Sequence, residues 1–542
     1  MPPEGYLSIV LHAHLPFVRH PELPHFLEES WLFEAVAESY IPLILLLRRL
    51  ELEGTPCRLT LSISPTLAEM LADPLLQERC AHYLQQRVEL SEKEIERHRP
   101  HPRLRELAKR YLSFYSQGLR FYEDTCGRDL IRAFHKLREA GLLDLMTSSA
   151  THAFLPFVSN AECQRAQLVL AQQTHARHFG RASAGLWLPE CGYQPELDEL
   201  VHEAQFRHFL LDAHAVLLGN PHPRFGNFAP VQTPGGVVAF ARDTATSQQV
   251  WSSRGGYPGD FDYREFYRDV GFDADYDYVK PYLQSDGSRH NLGIKYHRIT
   301  GEGDLGQREL YDWEQAEAKA RMHADHFVGS RLNQVKELAE PGFAPLIVAP
   351  YDAELFGHWW FEGPVFLESV IRLMARESRL HLVTLEDFLK VQPKLERQQP
   401  TGSSWGTDGY NLVWLNTRNQ WLYRHQHWAE HEMVGLANQN PEATGSRKRM
   451  LNQAARELLL AQSSDWAFLI SQNTAAPYAV QRFRTHLERF RTLREQLLNS
   501  RSAPPWLEQV EAQDSIFPEL DYRLFRSDCS ADVSLVSSNN ET

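Results

Sequence analysis

The chain has 542 residues, and 70 acidic against 56 basic side chains give it a net charge of −14. This charge balance, with Lys and Arg scattered along the chain, excludes the concentrated positive field that gathers phosphates, so nucleic acid is not an expected partner. A chain of this length exceeds what one hydrophobic core usually supports and predicts roughly two to four units, or one large barrel with additions.

The N-terminal segment and the cysteines predict a cytoplasmic protein. The first residues lack a basic stretch, and the apolar run that follows contains His12 and His14, unlike a signal peptide. The most apolar helical stretch, residues 40–47, is much shorter than the about 20 apolar residues that cross a bilayer, so no membrane span is expected. The six cysteines are widely spaced without a CxxC pair, which predicts reduced thiols rather than disulfides or a zinc site.

Short apolar segments alternate with helical patterns from residue 7 onward and predict a parallel sheet. The first strand is predicted at 7–11 and the first helix at about 29–50. Further strands are predicted at 57–64, 143–149, 185–189, 208–211, 237–241, 294–297, 345–349 and 381–385. Most of these segments are apolar without alternation, which is typical of strands that are buried on both faces.

Three longer regions depart from this alternation. Residues 65–141 have an almost wholly helical pattern and are interpreted as a helical insertion in a barrel that spans 1–400. The glycine-containing segment 244–262 holds Trp251, Arg254 and Tyr257 and predicts a functional loop. Beyond it, helical patterns at 419–436, 446–461 and 478–498 predict a helical C-terminal domain over 401–526, and the Ser- and Asn-rich residues 527–542 predict a disordered tail.

Titratable side chains follow five of the predicted strands. In a parallel βα barrel the functional residues gather where the carboxyl ends of the strands meet. The side chains in these positions are His12 and His14, His152, Glu190, Asp212 and His214, and Asp352. Any one of them is more often a helix cap or an ion-pair partner than a catalyst. Their joint occurrence favours a functional site, because burying several such groups together costs free energy unless they are paired.

Two kinds of chemistry fit this set of residues. The histidines with Asp212 have the ligand types of a catalytic zinc site. Alternatively, Glu190 and Asp352 are the carboxylate pair of a glycosidase, and the histidines donate hydrogen bonds to sugar hydroxyls. Aromatics make up 11% of the chain, and tryptophans lie within a few residues of both acids. Aromatic rings suit sugars, and an apolar neighbour raises the pKa of a carboxylic acid, so the second interpretation is favoured.

Three segments resemble the signature segments of glycoside hydrolase family 57. They are HAHLP at 12–16, WLPECGY at 187–193 and PYDAELFGHWW at 350–360. Within the family, residues 251–259, YREFY at 263–267 and residues 405–421 resemble the branching-enzyme group. The resemblance implies an α/β fold, namely an incomplete, TIM-like (β/α)7 barrel with a helical insertion and an all-helical C-terminal domain. It also implies action on α-1,4-glucans with retention, without a metal or another cofactor.

The resemblance also assigns roles to residues. Glu190 falls on the family's nucleophile, Asp352 on its acid/base, and Tyr257 on the tip of a loop that excludes water. The implied glucan contacts are His12, His14, Trp31, His152, Asp212, His214, Arg289, Gly306, Trp359, Trp360, Trp405, Trp414 and Asp465. Structural alternatives stay open for four of these: core packing for Trp414, a solvated loop for Arg289, a helix N-cap for Asp465 and a helix entry for Gly306.

The implied activity is that of a 1,4-α-glucan branching enzyme, which cleaves an α-1,4 link and transfers the chain to a glucan 6-hydroxyl. Retention predicts a separation of about 5 to 5.5 Å between the two carboxyl groups. The same scaffold and chemistry would also serve a 4-α-glucanotransferase or an α-amylase. Two alternatives from other classes are a metal-dependent hydrolase or deacetylase built on His12 and His14, and a catalytically silent glycan-binding protein.

Overall fold

A computed structural model describes residues 3–252, 255–284, 286–301, 303–338, 340, 342–499 and 501–528. Its strands are β1 Gly5–Ala13, β2 Leu59–Ile63, β3 Leu143–Ser148, β4 Gly185–Trp187, β5 His208–Leu211, β6 Val231–Gln232, β7 Val238–Ala241, β8 Leu346–Asp352, β9 Leu380–Leu382 and β10 Glu396–Arg397. They form one sheet in the order β10-β6-β7-β5-β4-β3-β2-β1-β8, and β9 also pairs with β1.

Seven of these strands form an incomplete barrel. The pairs along the path from β8 through β1, β2, β3, β4 and β5 to β7 are all parallel. The barrel is open between β7 and β8, the two ends of this path. There the amide of Asp243, two residues after β7, donates to the carbonyl of Val348 in β8 at 2.8 Å. All nine residues of β1 are buried, as expected for a central parallel strand that is covered on both faces. The predicted (β/α)7 barrel is confirmed.

The predicted strands correspond to observed ones with a single exception. Residues 294–297 form no strand, although Ile294 is fully buried. Their apolar side chains pack against the helical insertion. Backbone carbonyls of this segment accept hydrogen bonds from tyrosine hydroxyls of the insertion instead of from a neighbouring strand. Tyr111 donates to the carbonyl of Lys295 at 2.7 Å, and Tyr115 donates to the carbonyl of Gly293 at 2.8 Å. The two-residue strands β6 and β10 were not predicted, because two residues carry no periodic pattern.

Helices surround the sheet and make up the region after residue 401. The α-helices are Glu29–Ala35, Ile41–Leu52, Pro65–Ala72, Pro74–Arg97, Pro102–Arg120, Leu130–Glu139, Ala161–Phe179, Leu197–Glu203, Ala213–Leu217, Thr244–Trp251, Val270–Asp273, Tyr276–Val279, Trp313–Glu337, Gly363–Met374, Leu385–Val391, Trp421–Gln439, Gly445–Ala461, Ser464–Gln472, Ala476–Leu498 and Leu507–Gln513. The segments Val36–Tyr40 and Phe121–Thr125 are π-helical. Between residues 401 and 528, the described part of the chain contains helices and no strand.

The helical insertion lies between β2 and β3, as predicted for residues 65–141. In the segment predicted as a long loop, Thr244–Trp251 is a helix and Tyr257–Gly259 a short 3-10 turn, while Arg254 lies outside the described residues. Most of the predicted disordered tail, from residue 529 onward, also lies outside them. The division of the chain at residue 400 stays a prediction.

One helical stretch of the described chain, Glu29–Leu52, has the length and composition of a membrane span, with 24 residues and a mean hydropathy of 1.5. Its most apolar window is 83% buried inside the protein. Leu43, Ile44 and Leu47 from this stretch belong to the main hydrophobic core, together with residues of β1. The apolar composition of this helical stretch is therefore explained by its burial in the core.

Candidate active site

The carboxyl ends of the parallel strands bring the predicted titratable residues together. His12 lies within β1, Asp352 ends β8, and His152, Glu190 and Asp212 follow β3, β4 and β5 within a few residues. In the β1–β8 ladder, His12 is directly opposite Asp352. The position rule for parallel barrels therefore located the site from the sequence.

Three histidines form a stack at the centre of the site. His12 Nε2 and His152 Nε2 are 3.0 Å apart, and the rings of His14 and His152 are stacked with centroids at 3.7 Å. The other side of His12 stacks on the indole of Trp187 at 4.3 Å, with the two planes within 4°. Burial lowers the pKa of His12 and of His152 well below the usual value for histidine. Both imidazoles are therefore neutral near pH 7, and the nitrogens of both have partners within the protein: His12 bonds to Ser62 and His152, and His152 bonds also to Ser464.

The C-terminal region completes this stack. Asp465 accepts from His14 Nε2 at 3.1 Å, and His152 Nδ1 is 2.9 Å from the hydroxyl of Ser464. Burial acts to raise the pKa of Asp465, but the imidazole of His14 holds it below the ordinary value. Asp465 is thus an ionised partner of His14, as its predicted place in the site requires. It does not serve as the N-cap of its helix, which begins at Ser464 with Ser463 in the capping position.

Glu190 accepts two hydrogen bonds from the same C-terminal region. The indole N–H of Trp405 donates to Oε2 at 2.8 Å, and the Ser464 hydroxyl donates to Oε1 at 3.0 Å. The Nδ1 atom of His152 is 3.7 Å from Oε1. Burial raises the pKa of the Glu190 carboxyl to about 7, and the hydrogen bond from Trp405 is the largest effect that lowers it.

The backbone around these residues is strained. Glu190 has φ 61° and His152 has φ 54°, both in the left-handed region that side chains other than glycine rarely adopt. A Cβ on Gly192 would come within 2.6 Å of the Phe154 ring, so this position requires glycine. Strain of this kind is held in place by the surrounding structure and concentrates at functional sites.

Asp352 has a different environment from Glu190. No described residue donates a hydrogen bond to its carboxyl group. Burial, together with the nearby carboxyl groups of Glu354 and Glu190, raises the pKa of Asp352 well above its ordinary value. Donors that favour the carboxylate act on Glu190, and neighbours that favour the neutral acid act on Asp352. This is the division expected between a nucleophile and a general acid.

Replacing the donor to Glu190 should shift the acid limb of the pH profile. In Trp405→Phe the carboxylate loses its indole hydrogen bond, so the pKa of Glu190 rises and the acid limb of kcat/KM moves to higher pH, by about one unit. Initial rates on amylose between pH 4 and 9 measure this shift. Trp414→Phe is the matched control, because the indole nitrogen of Trp414 is buried without a hydrogen-bond partner among the described residues. An unmoved acid limb in Trp405→Phe, or an equal movement in the control, contradicts the prediction.

Asp212 and His214 hold the loop that carries Trp405. Asp212 pairs with Arg242 at 2.7 Å and with His214 Nδ1 at 3.1 Å, and His214 Nε2 donates to the carbonyl of Gly409 at 2.9 Å. The Arg242 guanidinium lies 5.9 Å from the ring centre of Trp405. Arg242 was missed by sequence reasoning, although it directly follows β7 and the strand-end rule would have found it.

The predicted aromatic contacts separate into two groups. Trp359 is 44% exposed and lies 6.0 Å from Trp251, and Trp31 is partly buried against Tyr478, so these rings keep surface for a sugar. By contrast, Trp360 and Trp414 are 1% and 2% exposed. Their prediction as glucan contacts is wrong for this structure, since both rings are taken up by core packing.

Arg289 and Gly306 have local partners in this structure, and their roles as glucan contacts stay predictions. Arg289 donates to the carbonyls of Gly271 at 2.7 Å and Ala274 at 3.0 Å, so it caps the end of a short helix. Gly306 lies in an exposed turn, where its carbonyl faces Arg268. Neither residue has a hydrogen bond or an ion pair with the described site residues. Both residues thus have structural roles in loops, and the sequence analysis had kept structural alternatives open for both.

Tyr257 is packed away from Glu190 and Asp352 in this conformation. Its ring is 8% exposed and stacks on His323 at 4.5 Å, and its hydroxyl is 2.7 Å from His326 Nδ1. No hydrogen bond or ring contact joins it to Glu190 or Asp352 within the described chain. In this conformation the phenol bonds to a histidine of the helix Trp313–Glu337, and the role of Tyr257 in excluding water stays a prediction.

The ligand types of a metal site are present, but their orientation is unfavourable. One potential ligand atom each from His14, His152 and Asp465 lies within 4.8 Å of the others. The imidazoles of His14 and His152 are stacked within 13° of parallel, so their in-plane lone pairs run side by side and do not converge on one point. Because a metal site requires converging ligands, this arrangement is unfavourable for a metal ion.

The sequence also matches known families. Residues 8–315, more than half of the chain, match the profile described as glycosyl hydrolase family 57. The chain belongs to glycosyl hydrolase family 57. Residues 425–525 match the profile described as 1,4-alpha-glucan branching enzyme, C-terminal. This second match contains Ser464 and Asp465, two of the residues that the C-terminal region contributes to the site.

Similar proteins from three organisms align along most of the chain. A 1,4-alpha-glucan branching enzyme of Thermococcus kodakarensis is 32% identical, over 95% of this chain and 77% of the relative. The structure of the alpha-amylase AmyC from Thermotoga maritima is similar with a TM-score of 0.90 and 41% identity, covering 96% of this chain and 99% of that one. A branching enzyme from Pyrococcus horikoshii has a TM-score of 0.87 and 31% identity, covering 97% and 98%. Similar relatives therefore carry two different activities.

Proposed function

We propose that the protein is a 1,4-α-glucan branching enzyme that acts by a retaining double displacement. The observation that carries this proposal is the contrast between the two carboxyl groups. Glu190 is held by two donors from the C-terminal region, and Asp352 lies near two other acids with no donor among the described residues. Such a pair, lined by tryptophan and neutral histidines, meets the needs of glycoside cleavage through a covalent intermediate.

In the first step, Glu190 attacks the anomeric carbon of an internal α-1,4 link. The bond to the leaving oxygen breaks, and Asp352 donates its proton to that oxygen, so the new chain end leaves as an alcohol. The Trp405 and Ser464 donors keep Glu190 oriented, and the strained backbone at Glu190 sets its direction of approach. His152 bonds to Ser464 and thereby supports the hydroxyl that donates to Glu190.

In the second step, Asp352 acts as the base. It removes the proton from the 6-hydroxyl of an acceptor glucan, the oxygen attacks the glycosyl-enzyme, and Glu190 is released with an α-1,6 link formed. Water is the competing acceptor, so a transferase must favour the glucan over water. The exposed ring of Trp359 and the partly buried ring of Trp31 provide surface for an acceptor chain.

Two observations support transfer to a glucan as the outcome. The match to the branching-enzyme C-terminal profile covers the segment that contributes Ser464 and Asp465 to the site. The branching enzymes of Thermococcus kodakarensis and Pyrococcus horikoshii also align with this chain along nearly its full length. An α-amylase is the second candidate, because the amylase from Thermotoga maritima shares 41% identity with the chain.

The products formed from amylose distinguish the two candidates. For a branching enzyme we expect new α-1,6 links, counted by proton NMR or by debranching digestion, with few new reducing ends. The iodine complex should lose its blue colour as the chains become branched. Reducing ends that rise in step with cleavage, without α-1,6 links, would identify an amylase. New α-1,4 chains of altered length without branches would identify a 4-α-glucanotransferase.

The natural substrate and location are part of the proposal. We propose that a glycogen- or starch-like α-1,4-glucan is the substrate and that the enzyme works in the cytoplasm during glycogen synthesis. The five cysteines in the described part of the chain are buried and free of disulfides, which is typical of a reducing compartment. Fractionation of cells with an antibody against the protein tests the location.

A further inference from the structure

A π-helical turn interrupts the first long helix next to the active site. It consists of Val36–Tyr40 and is continuous with the α-helices on either side. Single π-turns inside α-helices are frequent at functional sites, because the extra residue changes the direction of the side chains. In this turn, three successive buried side chains, those of Glu38, Ser39 and Tyr40, contact the segment that follows Asp352.

Each of the three contacts fixes a different atom of that segment. The Tyr40 hydroxyl donates to Glu354 Oε1. Ser39 Oγ accepts from the amide of His358 at 3.1 Å, and His358 Nδ1 is bonded to Glu38 Oε2 at 2.9 Å. Between Glu354 and His358 the backbone lies in direct contact with the backbone of the π-helical turn. A Cβ on Gly357, which has φ 121°, would come within 1.8 Å of the Glu38 carbonyl oxygen.

Glu354 is a buried carboxyl group: burial raises its pKa, and the hydrogen bonds from Tyr40 and from the His14 amide act against that rise and favour the charged form. It is 5% exposed, and its Oε1 accepts from the Tyr40 hydroxyl and from the amide of His14 at 3.2 Å. No Lys or Arg of the described chain forms an ion pair with it. Asp352 lies opposite His12 in the β1–β8 ladder, and Glu354, two residues later, bonds to His14. Both acids therefore lie at the end of β1.

We propose that Glu354 is a positioning residue: the Tyr40 hydroxyl and the His14 amide hold its carboxylate at the end of β1, where Asp352 also lies, and this carboxylate makes Asp352 the proton donor of the pair. This inference rests on the proposed role of Asp352 as acid/base. After burial, Glu354 is the largest cause that raises the pKa of Asp352, ahead of Glu190. The reason is electrostatic, since a second negative charge nearby disfavours ionisation of the first.

The test is the pH dependence of kcat/KM for Glu354→Gln acting on amylose. The amide keeps the size of the side chain and an oxygen that accepts from Tyr40, but removes the charge. We expect the alkaline limb, which reports loss of the Asp352 proton, to move to lower pH by about one unit. The acid limb should move less, because the largest effects on the pKa of Glu190 are burial, the Trp405 and Ser464 hydrogen bonds, Asp465 and His14.

Glu362→Gln is a closely matched control. Glu362 is 2% exposed and accepts from the Tyr311 hydroxyl and from the amide of Arg264, which reproduces the donors of Glu354. It is not among the groups that shift the pKa of Asp352, so both limbs should remain at their wild-type positions. If Glu354→Gln does not fold, Tyr40→Phe serves instead. Tyr40→Phe removes the hydrogen bond that favours the charged form of Glu354. The alkaline limb should therefore move to lower pH, by less than in Glu354→Gln.

The outcomes separate this inference from the proposed function. An alkaline limb that stays at the wild-type position in Glu354→Gln, or moves equally in Glu362→Gln, overturns the role of Glu354. If Asp352→Asn is inactive in the same series, the acid/base assignment survives that failure. An active Asp352→Asn enzyme would instead overturn the proposed function, and the inference with it.

Discussion

Glu190→Gln should lose both branching and hydrolysis, with kcat lowered by roughly 10⁴-fold or more, the scale seen when a nucleophile is removed from an enzyme. The amide has nearly the shape of the carboxylate: its oxygen can still accept from Trp405, and its NH2 group can donate to the Ser464 hydroxyl, so the site should keep its geometry. It cannot form the glycosyl-enzyme. Because transfer and hydrolysis both pass through that intermediate, they should fall together.

Amylose assays that count α-1,6 links and reducing ends measure both losses in the Glu190→Gln enzyme. Glu362→Gln again provides the control, since it replaces a buried glutamate that is hydrogen-bonded elsewhere. A Glu190→Gln enzyme that retained more than a tenth of wild-type kcat would rule out Glu190 as nucleophile. Loss of one activity without the other would show that the two do not share an intermediate.

Asp352→Asn should lose activity and gain stability. Removing a general acid lowers kcat by about 10²- to 10⁴-fold. The gain in stability arises because burial and the neighbouring acids raise the pKa of Asp352 above its unfolded value. As pH rises from the unfolded towards the folded pKa, the folded state holds a proton that the unfolded state has lost, so the free energy of unfolding of the wild type falls.

Asparagine does not titrate, so the Asp352→Asn variant escapes this fall in stability. Its melting temperature should exceed that of the wild type by a few degrees at pH 8, and the difference should shrink towards pH 4. Calorimetry of both proteins across this pH range provides the measurement. A variant that melts at or below the wild-type temperature at pH 8 would show that the Asp352 carboxyl is not destabilised by its surroundings. Stability gained through loss of activity is a recurrent property of catalytic groups.

The two carboxyl groups thus illustrate how one site prepares different protonation states. Both are buried, and burial alone would make both neutral. Trp405 and Ser464 favour the charged form of Glu190, whereas Glu354 favours the neutral form of Asp352. The variants Trp405→Phe and Glu354→Gln therefore act on opposite limbs of the same pH profile.

The sequence by itself determined the strands and the acids at their ends. Buried parallel strands have a local signature of short, unalternating apolar runs, and it located β1, β5 and β8 together with Glu190 and Asp352. It failed at residues 294–297, where an equally apolar segment packs as a loop on the insertion. It also failed for Trp360 and Trp414, since an aromatic residue near an acid has the same local pattern in a core as in a groove.

Only the tertiary structure decided which groups act on the acids. Asp465 meets His14 from 451 residues away, and Trp405 reaches Glu190 across 215 residues. Such contacts leave no periodic pattern in the sequence, because they depend on how the C-terminal helices pack over the barrel. The same holds for the π-turn beside Glu354 and for Tyr257, whose position depends on a histidine in a distant helix. Local patterns predicted the reactive groups, and long-range packing set their charge.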